Sequence, residues 1–177
     1  GSSLEPTWRN WQVYFSRSSD GGDTWQVTGP FTQPEKFQAI QPSLFDMSAD
    51  GGNATQRLVA LCRTRQGVVG RMESSDAGET WSEMTATSVP NPDSGLDGTT
   101  LSDGRMALVC NDTTKGRSRL SVLVSADGSR FEHARTLEDR DGEYSYPSVI
   151  RDGKRLYVTY THQRTSVALA EIDEEAL

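Results

Sequence analysis

The chain reads SRSSDGGDTW at residues 16–25 and MESSDAGETW at residues 72–81. Both stretches carry Ser-x-Asp-x-Gly-x-Thr-Trp, as Ser18, Asp20, Gly22, Thr24 and Trp25, then Ser74, Asp76, Gly78, Thr80 and Trp81. A shortened third copy keeps Ser125, Asp127, Gly128 and a terminal aromatic, Phe131. The chemistry suits a hairpin turn. An Asp carboxylate accepts hydrogen bonds from backbone N–H groups just ahead of it, and Gly supplies the positive φ of a tight turn. Thr and Trp then restart a strand, and the Trp is expected to pack beside its own sheet. The boxes therefore read as structural staples, with no direct chemical role for their aspartates.

The boxes start at Ser18, Ser74 and Ser125, so they recur after 56 and then 51 residues. A period near 50 that holds several short strands is the mark of β-propeller blades. Alternating runs fill the rest of each period: WQVYFSRS, GVVGRMES and RLSVLVSA before the boxes, and RLVALCR, RMALVCN and RLYVTYT, which start at 57, 105 and 155 and repeat at their own period. The fold class is all-β, with blades of four antiparallel strands and about three to three and a half blades in this chain. Residues 1–10 read as a tag remnant or N-terminal arm, and 174–177 as a tail. Residues 11–173 hold a partial blade at about 12–30, full blades at about 41–89 and 94–138, and a partial one at 144–173. An open arc leaves sheet edges and apolar faces uncovered. A homodimer that closes the ring is therefore expected.

The 177 residues carry a formal charge of −7. That excludes nucleic acid as the main partner, because phosphate binding needs clustered Lys and Arg. No apolar run nears the roughly 18 residues of a membrane helix, so no membrane partner is expected. Cys62 and Cys110 each fall five residues after an Arg that opens an apolar run, and read as buried thiols. His133 and His162 are far apart in sequence and lack a ligand spacing, so neither a metal nor another cofactor is expected. Localisation stays open; reduced thiols and the absence of a leader in this stretch favour the cytoplasm over secretion.

The Ser-x-Asp-x-Gly-x-Thr-Trp box resembles the Asp box of the sialidase (neuraminidase) superfamily, whose members are six-bladed propellers. The likeness extends through QPSLF, RLVALCRTRQG, CNDTTKGRSRLSVLVSADG and GEYSYPSVIRDGKRLYVTYTHQR, over about residues 11–172. It is similar to the second half of the family's bacterial and plant members. The resemblance implies an arginine triad for a substrate carboxylate, a Tyr nucleophile assisted by a Glu, and an Asp acid/base. A planar guanidinium matches a carboxylate bidentately, and a neutral Tyr avoids the repulsion a carboxylate nucleophile would meet. Carried over by position, Arg63 and Arg117 match two triad arginines, with Arg65 and Arg119 as their neighbours. Tyr144 matches the nucleophile, with Tyr146 as the rival two residues on. Gln41 stands where the Glu would fall. Glu143, Asp46 or Asp97 would have to replace that base. The first Arg and the Asp have no counterpart.

Asn91 and Asp97, in the inter-blade loop PNPDSGLDG, join Arg63, Arg117, Tyr146 and Glu143 as expected ligand-binding residues. The function expected is recognition of a carbohydrate or small anion, or glycoside hydrolysis at a degenerate site. The competing expectation is a non-catalytic half-propeller that acts through assembly or a protein partner.

Overall fold

The computed structural model describes residues 10–31, 35–48 and 56–177, so most of the N-terminal arm lies outside the described residues. Among the described residues, thirteen strands form four antiparallel sheets. The first holds β1 (Phe15–Arg17) and β2 (Gln26–Thr28). The second runs β3 (Ala39–Asp46), β4 (Leu58–Thr64), β5 (Val68–Ser74) and β6 (Thr85–Pro90). The third runs β7 (Asp97–Thr100), β8 (Met106–Cys110), β9 (Arg119–Ser125) and β10 (Glu132–Asp139). The fourth holds β11 (Tyr144–Asp152), β12 (Arg155–His162) and β13 (Ser166–Asp173). Each sheet pairs its strands in chain order, as the blades of a partial β-propeller do.

The sheets pack face to face. Phe45, Val59 and Leu61 of one blade meet Met106, Leu108 and Leu123 of the next. Leu120, Val122 and Val109 in turn meet Leu156, Val158 and Ile172. β8 is buried along its whole length and β4 almost so, because a sheet covered on both faces has no polar side to alternate with. Cys62 and Cys110 sit buried in these second strands as free thiols. Burial pushes the Cys62 thiol up to about 12 and Cys110 higher still, so neither ionises in the neutral range.

The boxes close the hairpins after β1, β5 and β9. In the second, Ser74 Oγ donates to Asp76 Oδ1 at 2.7 Å, and the Thr80 N–H donates to the same oxygen at 2.9 Å. The Thr80 hydroxyl takes the other oxygen, and Trp81 Nε1 donates to the Gly78 carbonyl. The first box repeats each of these bonds. These donors hold Asp20 and Asp76 below the usual carboxylate range, Asp76 at about 2, through the Thr hydroxyl first. The two tryptophans differ. Trp81 stacks on Phe15 with ring centres 4.2 Å apart, whereas Trp25 is 61% exposed. Trp25 belongs to a two-stranded sheet, which offers it no full blade to pack on.

At the opposite end of the blades the first strands lie side by side, β7 between β3 and β11. Gly98 allows this approach: a Cβ there would meet the Ala107 carbonyl at 2.3 Å and the Phe45 ring at 2.6 Å. Asp97 joins all three strands. Its Oδ1 accepts from Ser43 Oγ at 2.7 Å and its Oδ2 from the Val149 N–H at 2.8 Å. The expected ligand role of Asp97 is thus corrected to that of a strut.

The tail is ordered as well. Asp173 caps a 3-10 turn over Glu174–Ala176, and the buried Glu174 accepts from the Ser102 hydroxyl of the neighbouring blade. The outer face of the last sheet stays uncovered, with Ile150, Val167 and Leu169 all more than half exposed.

Asp97→Ala should lower unfolding free energy by about 2–3 kcal/mol, the scale of hydrogen bonds to a charged group. Urea denaturation measures it, and a midpoint equal to wild type would contradict the bridging role.

Candidate functional site

The functional residues gather where first strands begin and second strands end, away from the boxes. The register pairs Ile40 with Arg63, which sets the single arginine of β4 beside Gln41. Two local distortions aim the side chains. β3 bulges between Ile40 and Ser43, and β11 between Ser145 and Ser148. Both bulges read x-Pro-Ser, as Gln41-Pro42-Ser43 and Tyr146-Pro147-Ser148. Proline lacks the N–H a ladder needs, so the ladder breaks there. Gln41 has φ 53° and Tyr146 φ 51°. Asp93, in the loop that leads to β7, has φ 58°. Left-handed backbone at a non-glycine residue costs about 1–3 kcal/mol and clusters at functional sites. Each of the three larger blades therefore contributes one strained residue to the same place.

Two arginines knit the three together. Arg63 is 8% exposed. Its Nε donates to Asp93 Oδ1 at 2.8 Å and its Nη1 to Gln41 Oε1 at 3.3 Å. Arg117 donates from Nη1 to Glu143 Oε1 at 3.3 Å and from Nη2 to the Asp93 carbonyl at 3.2 Å. Its guanidinium carbon stands 5.3 Å from the centre of the Tyr146 ring. The nearby guanidinium of Arg117, and to a lesser degree that of Arg63, hold the Tyr146 phenol below the usual tyrosine range. The charges of both arginines add to this, against partial burial. Trp11 flanks the cluster, with the Arg63 guanidinium 4.8 Å and that of Arg65 4.3 Å from its ring centre.

Two further expectations change. Tyr144, expected as the nucleophile-like residue, is buried at 2% exposure, and its hydroxyl accepts from Gln163 Nε2 at 2.6 Å. Tyr146, 47% exposed, is the tyrosine that faces the arginines. The bulge explains the exchange: strict alternation would put both rings on one face, and the left-handed turn at Tyr146 swings its ring away. Asn91, expected to bind ligand, is fully buried and accepts from the Ser94 N–H within its own loop.

Glu143, Gln41, Arg63 and Arg117 all lie in the cluster. Of the neighbours, Arg119 pairs with Asp112, and Arg65 donates to Gln38. Asp46 is engaged by Ser48 and Gln56, so among the proposed replacements for the base only Glu143 lies in the cluster. Sequence reading missed Trp11; Asp93 lies in the loop PNPDSGLDG that it marked, and Arg164 was not among its expected ligand residues. The shared x-Pro-Ser pattern would have pointed to Tyr146.

The chain matches the family model described as BNR repeat-like domain over residues 1–158, and it belongs to that family. Compared with curated protein sequences it has no significant match. Among solved structures it is similar to the NanB sialidase from Streptococcus pneumoniae, with a TM-score of 0.73 and 16% identity over 95% of this chain and 28% of that one. It is similar to the intramolecular trans-sialidase from Ruminococcus gnavus, at 0.70 and 20% over 95% and 39%. It is also similar to the Trypanosoma rangeli sialidase in complex with sialic acid, at 0.61 and 19% over 90% and 26%. The fold is sialidase-like, and the chain spans well under half the length of these relatives.

The Tyr146 phenol should titrate below the usual tyrosine range, and Tyr160, pushed up to about 12 by burial, above it. Phenolate absorbance against pH measures this. The low step should vanish in Tyr146→Phe and move up in Arg117→Ala; a low step that survives Tyr146→Phe would contradict the placement.

Proposed function

We propose that the cluster recognises the carboxylate of an acidic sugar, with Arg63 and Arg117 as its ligands and Tyr146 against the sugar ring. The observation that carries this reading is the convergence of two guanidinium groups on one exposed phenol, held by strained backbone in three blades. Two planar forks suit a carboxylate, and a neutral phenol does not repel it. The structural relatives include sialidases, one of them in complex with sialic acid, which makes sialic acid the first probe.

Recognition is a better fit than turnover. Gln41 accepts from Arg63 where a general base would be needed, and an amide takes no proton from a phenol. General-base assistance is worth roughly 10²–10⁴-fold. The pull of two arginines on Tyr146 favours its anion and offsets only part of that loss. A hydrolytic site would also need a proton donor for the leaving group, which the cluster does not supply among the described residues.

The competing reading, function through assembly, draws support from the exposed Ile150, Val167 and Leu169 on the last sheet. In that reading a second copy covers this face and closes the arc.

Calorimetric titration with sialic acid should show binding by wild type that falls about tenfold or more in Arg63→Ala and in Arg117→Ala, while Arg119→Ala binds as wild type. Wild-type affinity in both cluster variants would overturn the recognition reading. Light scattering on the same samples decides closure: twice the single-chain mass supports a second copy, and the single mass rejects it.

A further inference from the structure

Glu143 holds more positive charge than its place at a strand edge requires. Its Oε1 accepts from Arg117 Nη1 at 3.3 Å and from Ser145 Oγ at 3.1 Å. Its Oε2 accepts from Arg164 Nε at 2.6 Å. Those donors, Arg164 first, keep the carboxyl below its usual range, so it stays an anion.

Arg164 comes from the tip of the β12–β13 hairpin. Gln163 and Arg164 have φ 56° and 55°, the two left-handed residues of the turn that the Thr165 N–H closes on the His162 carbonyl at 3.1 Å. Gln163 pins that turn in place. Its N–H donates to the Glu143 carbonyl at 2.7 Å, and its side chain donates to the Tyr144 hydroxyl and the Asp141 carbonyl. The buried Tyr144 thus anchors the hairpin that presents Arg164. The Arg164 side chain is 68% exposed, yet it lies close enough to Tyr146 for their charges to interact.

We propose that Arg164 is a third anion-binding arginine of the cluster, and that Glu143 is the internal carboxylate that occupies it until a ligand anion takes its place. Three physical points lead there. A carboxylate divided between two arginines, one exposed, has the geometry of a bound anion. The local balance is three arginines, Arg63, Arg117 and Arg164, against two carboxylates, Asp93 and Glu143. An incoming carboxylate that reaches Arg117 meets Glu143 as a like charge, so the two compete for the same donors. Displacing Glu143 frees Arg164 to turn to the ligand, because its side chain is exposed while the turn beneath it stays anchored. Glu143 then sets specificity: it admits anions that outbid it for two arginines and rejects weaker ones.

This rests on the anion-recognition reading of the cluster, and the test separates the two. Sialic acid is titrated calorimetrically into wild type, Glu143→Gln, Arg164→Ala and the double variant. Glu143→Gln keeps the side chain's shape, and Arg164 is exposed, so near-ultraviolet circular dichroism should confirm native packing in all four. Glu143→Gln should bind on the order of tenfold more tightly, since an internal competitor is removed. The double variant should lose most of that gain. Equal or weaker binding by Glu143→Gln would make Glu143 a strut for Arg117 and overturn the proposal, while wild-type binding preserved the recognition reading. A tighter Glu143→Gln whose gain survives Arg164→Ala would remove Arg164 from the site. Native protein that binds in none of the four forms would overturn both readings.

Discussion

One carboxylate fixes the spacing of the blades where it matters. Asp97 reaches from β7 to Ser43 on β3 and to the Val149 backbone on β11. Hydrogen bonds to a charged acceptor are about twice as strong as neutral ones, and this acceptor is shared between three sheets. It holds the starts of the first strands close, with Gly98 clearing the space behind. Gln41, Asp93 and Tyr146 ride on those same segments. Their convergence on Arg63 and Arg117 depends on that fixed separation.

Within that frame, backbone strain does the aiming. Gln41 and Tyr146 sit on equivalent bulges, each followed by Pro and Ser, and Asp93 takes the same left-handed conformation in its loop. Such residues persist only where their surroundings over-determine them. Here the surroundings are the packed blades and two arginines that donate to Asp93, Gln41 and Glu143. The arrangement has a consequence for charge. The arginines are partly neutralised by Asp93 and Glu143, so the site holds its own counter-ions, and ligand selection becomes a competition between carboxylates.

The fold was legible because its signals are local. The side-chain bonds made by the Ser, Asp, Thr and Trp of the Asp boxes join residues no more than four apart, so the recurring motif exposes the hairpins, and the period exposes the blades. Arg63 and Arg117 were picked out for a related reason: one closes the strand before a box hairpin, and the other lies eight residues before the next box. Tyr146 was obscured by its bulge, since period-two reasoning cannot see an inserted residue that turns one side chain aside. Asp97 and Tyr144 were misread as site residues because their partners lie 19 to 54 positions away, across hairpins or blades. Arg164 is exposed, and its role depends on a hairpin anchored by Gln163, a contact that no local pattern announces.

The central claim is that Arg63 and Arg117 act together on one anion. The most direct measurement follows the side-chain Nε resonances of these two arginines by nuclear magnetic resonance during titration with sialic acid. The account predicts that both shift together along one saturation curve, while Arg71, buried against Glu73 in β5, does not move. Saturation of the protein with both resonances unmoved, or with only one responding, would contradict it.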